Sequence, residues 1–153
     1  MVFYFEYPLL FFIIFISHKI KRKIESMPHF IIDCSQDILQ QRTPDELMDA
    51  VYEAADTTGL FAPNDIKVRL HPYQYYRLGT GKKNFLHVFG YIMQGRTTEQ
   101  KATLSKQICI RLSELLPDTS FLSASINDLE AATYSNKALI NLENTNNDRH
   151  FGL

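Results

Sequence analysis

The sequence predicts an α+β fold, an α/β sandwich in which two β-α-β units form one four-stranded sheet with both helices on one face. Three observations carry this. Four stretches have strand character, two stretches have helical periodicity behind capping boxes, and the order strand–helix–strand occurs twice. In each unit the helix opens about 14 or 15 residues after its strand begins, enough chain for a right-handed crossover.

The elements follow in order. Residues 28–34 (PHFIIDC) set Phe30, Ile32 and Cys34 against His29, Ile31 and Asp33, the alternation of a strand. Thr43-Pro44-Asp45-Glu46 then opens a helix. Thr43 caps, Pro44 suits the first helical position, and Glu46 completes a capping box. Leu47, Val51 and Ala54 or Ala55 follow at helical spacing, and Gly59 supplies a left-handed stop. Residues 66–71 (IKVRLH) alternate again, with Lys67, Arg69 and His71 on the face opposite Ile66, Val68 and Leu70. Lys67 and Arg69 are thereby about 7 Å apart on one face. Residues 72–83, with Gly79 and Gly81, read as an exposed loop or twisted hairpin.

The second unit begins with residues 84–93 (NFLHVFGYIM), a buried strand. Gly95-Arg96 makes a turn, and Thr97 with Gln100 forms a second capping box. Leu104, Ile108, Leu112 and Leu115 line one helical face before Pro117 ends the helix. Residues 121–126 form the fourth strand. The sheet face away from the helices carries apolar residues such as Ile31. A chain this small must cover that face with copies of itself, so an oligomer is expected. After Ala131 a short interface element is expected through Ala138-Leu139-Ile140, followed by a loose polar tail over residues 141–153.

The chain has 153 residues, 45% of them hydrophobic and 22% charged, ordinary values for one globular domain. Its formal charge of −1 gives no field for nucleic acid. Cys34 and Cys109 form no metal-ligand spacing and read as small buried apolar residues in a reducing compartment. No metal pattern, nucleotide loop or nucleophile elbow is present.

Residues 1–26 differ from the rest. Residues 2–16 (VFYFEYPLLFFIIFI) are nearly all apolar, and Lys19, Lys21, Arg22 and Lys23 follow. The run of about 15 residues is shorter than the ~20 of a spanning helix. The positive charge follows the apolar run, the reverse of a signal peptide. A short signal anchor is one reading under the positive-inside rule. The other is that translation starts at Met27 and residues 1–26 are no part of the mature protein. On the second reading the functional domain spans residues 28–140, is cytoplasmic, and touches no membrane.

PHFIIDCS directly after a methionine, the IKVR strand, FLHV, and GR before a capped helix together resemble the 5-carboxymethyl-2-hydroxymuconate Δ-isomerase family of the tautomerase superfamily. The resemblance runs from Pro28 to about Ile140. It implies a β-α-β-β-α-β subunit in a homotrimer, with no metal and no organic cofactor. The catalytic base it implies is the secondary amine of an amino-terminal proline, here Pro28, bared when Met27 is removed. The reaction moves a proton in the dienol acid 5-carboxymethyl-2-hydroxymuconate to give a 2-oxo-ene isomer, in homoprotocatechuate and 4-hydroxyphenylacetate degradation. Arg96 matches the family's arginine before the second helix. The family's other substrate-binding arginine aligns with Lys67, which keeps the charge and loses the bidentate fork. Arg69, two residues on and on the same face, is the alternative second contact for a small anionic substrate.

Physical chemistry supports the same assignment. A proline amine is a rigid base, and an apolar pocket with nearby cations lowers its pKa toward neutrality. Phe30, Phe85 and Phe89 are candidates for the apolar wall. Lys67, Arg69 and Arg96 are candidates to hold substrate carboxylates and stabilise a dienolate. Plainer roles stand beside these: solvated charges for Lys67 and Arg69, a turn residue for Arg96, packing or hydrogen bonding for His29 and His87. Tyr73, Tyr75 and Tyr76 are expected to cover a subunit surface. Two other functions fit the same sequence. One is a related tautomerase acting on phenylpyruvate or 2-hydroxymuconate. The other is a non-catalytic trimeric binding protein with the leader retained, since Pro28 is then an amide without a basic lone pair.

Overall fold

Four strands and two helices account for the regular structure in the computed structural model, which describes residues 27–62 and 64–136. The strands are β1 (His29–Ser35), β2 (Lys67–Tyr73), β3 (Phe85–Met93) and β4 (Phe121–Leu129). The helices are α1 (Pro44–Asp56) and α2 (Thr98–Leu115), and short 3-10 turns occupy Gln36–Gln40 and Ala131–Thr133. The leader over residues 1–26, the interface element expected at 138–140 and the polar tail lie outside the described residues.

The sheet order is β2-β1-β3-β4. β1 pairs parallel with β2 and antiparallel with β3, and β3 pairs parallel with β4. Each parallel pair is one β-α-β unit, so the two units join through β1 and β3 at the centre. One side chain pins that central pair: the Ser35 hydroxyl accepts from the Phe85 amide at 3.2 Å.

Both helices begin as their sequences require. The Thr43 hydroxyl accepts from the Glu46 amide at 3.3 Å, and the Glu46 carboxylate accepts from the Thr43 amide at 2.8 Å. Thr97 and Gln100 repeat the exchange at 3.2 and 2.9 Å. Each box satisfies two amide donors that the first turn leaves over, worth about 1 kcal/mol apiece. Past α1, Gly59 takes φ +65, the left-handed value that a glycine reaches without Cβ strain.

The core lies between the helices and one sheet face. Phe30, Ile32 and Cys34 from β1 and Leu86, Val88 and Ile92 from β3 meet Leu47 and Val51 of α1 and Leu104, Ile108 and Leu112 of α2, all buried. The opposite face carries Ile31, Phe89 and Tyr91, which are half-buried. Where the sequence reading placed strand ends, the sheet runs further. β2 extends through Pro72 to Tyr73, because an edge strand tolerates a residue without an amide donor. β4 continues to Leu129, paired with Met93.

Candidate active site

Register brings the candidate residues to one end of the sheet. His29 at the start of β1 is opposite Lys67 at the start of β2 and Tyr91 near the end of β3. Met93, closing β3, is opposite Leu129, closing β4. Pro28, the Lys67 end of β2, the turn that carries Arg96 and the turn after β4 therefore share that end. A proline suits the position, since the residue entering a strand has no ladder donor to lose. Pro28 is buried, and its carbonyl accepts from the Lys67 amide at 3.1 Å.

Strand alternation then divides the candidates between the two faces. Phe30 is 0% exposed, beneath the helices, and meets Phe61 edge-on with ring centres 6.1 Å apart. The Arg96 guanidinium lies over the Phe61 ring at 5.9 Å from its centre. It donates to the carbonyls of Leu60 at 3.0 Å and Met93 at 3.3 Å. Arg96 thus ties the segment after α1 to the end of β3, and burial lowers its pKa. Phe30 and Arg96 are joined through Phe61, a residue the sequence reading did not single out. The only signal for it was a large aromatic next to Gly59-Leu60.

Lys67 and Arg69 point from the opposite face, both exposed. They flank His29, whose pKa is lowered first by burial, then by Lys67, then by Arg69. The Lys67 ammonium donates to the Asp65 carbonyl at 3.0 Å. Within one chain the structure therefore brings Lys67 and Arg69 together and keeps them on the other face from Phe30. Phe85 and Phe89 share that second face, so they do not continue the wall that Phe30 begins. His87 bridges two hydroxyls there, Ser123 at 2.7 Å and Ser125 at 3.1 Å, a hydrogen-bonding role. Tyr75 is 90% exposed, while Tyr73 and Tyr76 lean on Phe85.

Two further side chains stand at the Pro28 end. The Tyr134 hydroxyl and the Asn136 amide each approach the Met27 sulfur at 3.4 Å. Neither residue carries a pattern by which sequence reading finds it, because they follow a three-residue turn. The thiols offer no nucleophile: burial, then Asp33, then Asp37 push Cys34 up to about 11, and burial raises Cys109. Among the described residues no group of three metal-ligating side chains is assembled, and no helix is long and apolar enough to cross a membrane.

A family model described as 5-carboxymethyl-2-hydroxymuconate isomerase matches residues 28–140. No curated protein sequence matches the chain. Among solved structures, a 5-carboxymethyl-2-hydroxymuconate isomerase from Deinococcus radiodurans R1 is similar at TM-score 0.64 and 21% identity, over 74% of this chain and 90% of that one. A 5-carboxymethyl-2-hydroxymuconate delta-isomerase gives 0.60 and 17%, over 74% and 89%. A protein described as a fused 4-OT wild type symmetric trimer gives 0.60 and 16%, over 71% and 91%.

Proposed function

The chain belongs to the 5-carboxymethyl-2-hydroxymuconate isomerase family, and on that premise we propose that it isomerises 5-carboxymethyl-2-hydroxymuconate with Pro28 as the base. The observation that carries this reading is the family match itself, which begins at Pro28. Removal of Met27 turns the Pro28 nitrogen from an amide into a secondary amine. The amine takes the proton of the dienol hydroxyl, the electron pair moves along the diene, and the ammonium returns the proton to carbon. The product is the 2-oxo-ene isomer.

Support comes from the surroundings of Pro28. Pro28 is buried, and burial disfavours the ammonium form that a freed proline amine would take on. Arg96 faces developing enolate charge from the helix side, with Phe30 backing the wall behind Pro28. Lys67 or Arg69 holds a substrate carboxylate from the other side. The half-buried apolar face with Ile31 and Phe89 is where copies meet, and a homotrimer is the assembly we assign. The reaction belongs in cytoplasmic breakdown of homoprotocatechuate.

Lysine in place of the family's arginine at position 67 favours a second reading, a related tautomerase acting on phenylpyruvate or 2-hydroxymuconate. Relative kcat/KM on the three acids decides between them. Amino-terminal sequencing of protein from its native source, paired with assay, tests the base. A mature start at Pro28, activity there, and loss of most turnover in Pro28→Ala are expected. Mature, active protein that retains Met27 would rule the proline mechanism out.

A further inference from the structure

We propose that Tyr134 and Asn136 bind an anionic oxygen of the substrate, in the place that the Met27 thioether occupies before processing. This assignment rests on Pro28 acting as the base, and adds two substrate-binding side chains to that site.

The argument begins with chain path. β4 closes at Leu129 beside Met93, so the chain leaves the sheet at the end where β1 begins. The turn Ala131–Thr133 is held by Thr133, whose amide and hydroxyl both donate to the Glu130 carbonyl at 3.2 Å. It is also tied to the end of β3. The Gln94 amide donates to the Leu129 carbonyl at 3.0 Å, and the Ala131 amide donates to the Gln94 side chain at 3.4 Å. Gln94 is two residues before Arg96, so one turn positions both Arg96 and the segment that follows β4.

Tyr134 is extended, at φ −93 and ψ 129. Side chains two apart on extended backbone share a side, which lets Tyr134 and Asn136 reach the same point. That point is the Met27 sulfur, 3.4 Å from each donor. A phenol and a carboxamide are good donors, and a thioether is a weak acceptor. The two donors converge on one sulfur, and that sulfur accepts only weakly from the Tyr134 hydroxyl. Once Met27 leaves, both donors border the space next to the Pro28 nitrogen. A carboxylate or enolate oxygen is the acceptor that uses both, through charge-assisted hydrogen bonds. The ligand class is a 2-hydroxy or 2-oxo acid whose anionic oxygen lies within reach of the carbon or hydroxyl that Pro28 serves.

The test uses full-domain enzyme that starts at Pro28, with 5-carboxymethyl-2-hydroxymuconate as substrate. kcat and KM are measured across pH for the parent, Tyr134→Phe and Asn136→Ala. Tyr134→Phe keeps the ring and removes only the hydroxyl, so it separates donation from packing. Each variant is expected to lower kcat/KM by about tenfold or more, chiefly through KM. The pH at which the free amine titrates is expected to stay where the parent has it. An active parent with both variants within about twofold of it in kcat/KM overturns this assignment alone. A processed parent without activity overturns the proline base and this assignment together.

Discussion

The Arg96 guanidinium holds the carbonyl oxygen of Leu60 at 3.0 Å, across a gap of 36 residues in sequence. Arg96 therefore has a bridging role before any substrate arrives, and its substitution acts on two quantities. Arg96→Ala is expected to lower unfolding free energy by about 1–2 kcal/mol, the scale of charged hydrogen bonds whose acceptors can turn to water. It is also expected to cut turnover strongly. Arg96→Lys keeps the charge and loses the fork that spans Leu60 and Met93. Urea melts and kcat/KM measured on both variants separate the roles: a stable Arg96→Ala enzyme with full turnover denies the catalytic one.

Gly90 faces Phe30 and Ile126 on the helix side of the sheet. A Cβ there comes 2.5 Å from the Ile126 Cδ1 and 3.0 Å from the Phe30 ring. The isoleucine methyl can rotate away, while the ring is fully buried and wedged by Phe61. Gly90→Ala is expected to cost about 1–3 kcal/mol, as overpacking does. Thermal melts check it, with Ile126→Val in the same chain expected to return part of the loss.

Lys67 and Arg69 differ in what already occupies them. The Lys67 ammonium is engaged by the Asp65 carbonyl, whereas Arg69 is opposite Ile31 on the open face. Replacing each by alanine is expected to raise the pKa of His29, because both cations lower it. Imidazole titration by NMR reads that directly. In assays, the residue that holds a substrate carboxylate is expected to raise KM by about tenfold on removal. Unchanged KM in both variants removes this pair from the site.

Much of this was legible because it is local. The two capping boxes, the alternation of β1 and β2, and the face shared by Lys67 and Arg69 depend only on neighbours in sequence. The family resemblance pointed to Pro28 and Arg96 as residues of interest. What stayed hidden depends on contacts across the chain. That Phe30 lies on the other face from Phe85 and Phe89 follows from strand register, which one strand's pattern does not reveal. Phe61 stacks on Arg96 from an irregular segment, and Tyr134 and Asn136 reach Met27 across more than a hundred residues. Irregular segments carry no period, so their side chains become informative only once the sheet places them.

Acid sensitivity follows from the open face. His29 titrates below its ordinary value of 6.5 because of burial, Lys67 and Arg69, in that order. His87 does so through burial, opposed by Asp33. A depressed histidine pKa means that the folded protein binds fewer protons than the unfolded chain once the pH drops below about 6.5. The stability these groups contribute is complete above 6.5 and is lost as the pH falls through their folded pKa values. Urea midpoints are therefore expected to decline between pH 7 and pH 5, in a range above most carboxylate titrations. His29→Gln keeps a polar side chain without the titration and is expected to flatten part of the decline. His87→Asn keeps one hydrogen-bonding amide for Ser123 or Ser125 and is expected to flatten less, since Asp33 offsets its shift. A double variant whose midpoint falls as steeply as the parent's over that range would show that the histidines do not govern it.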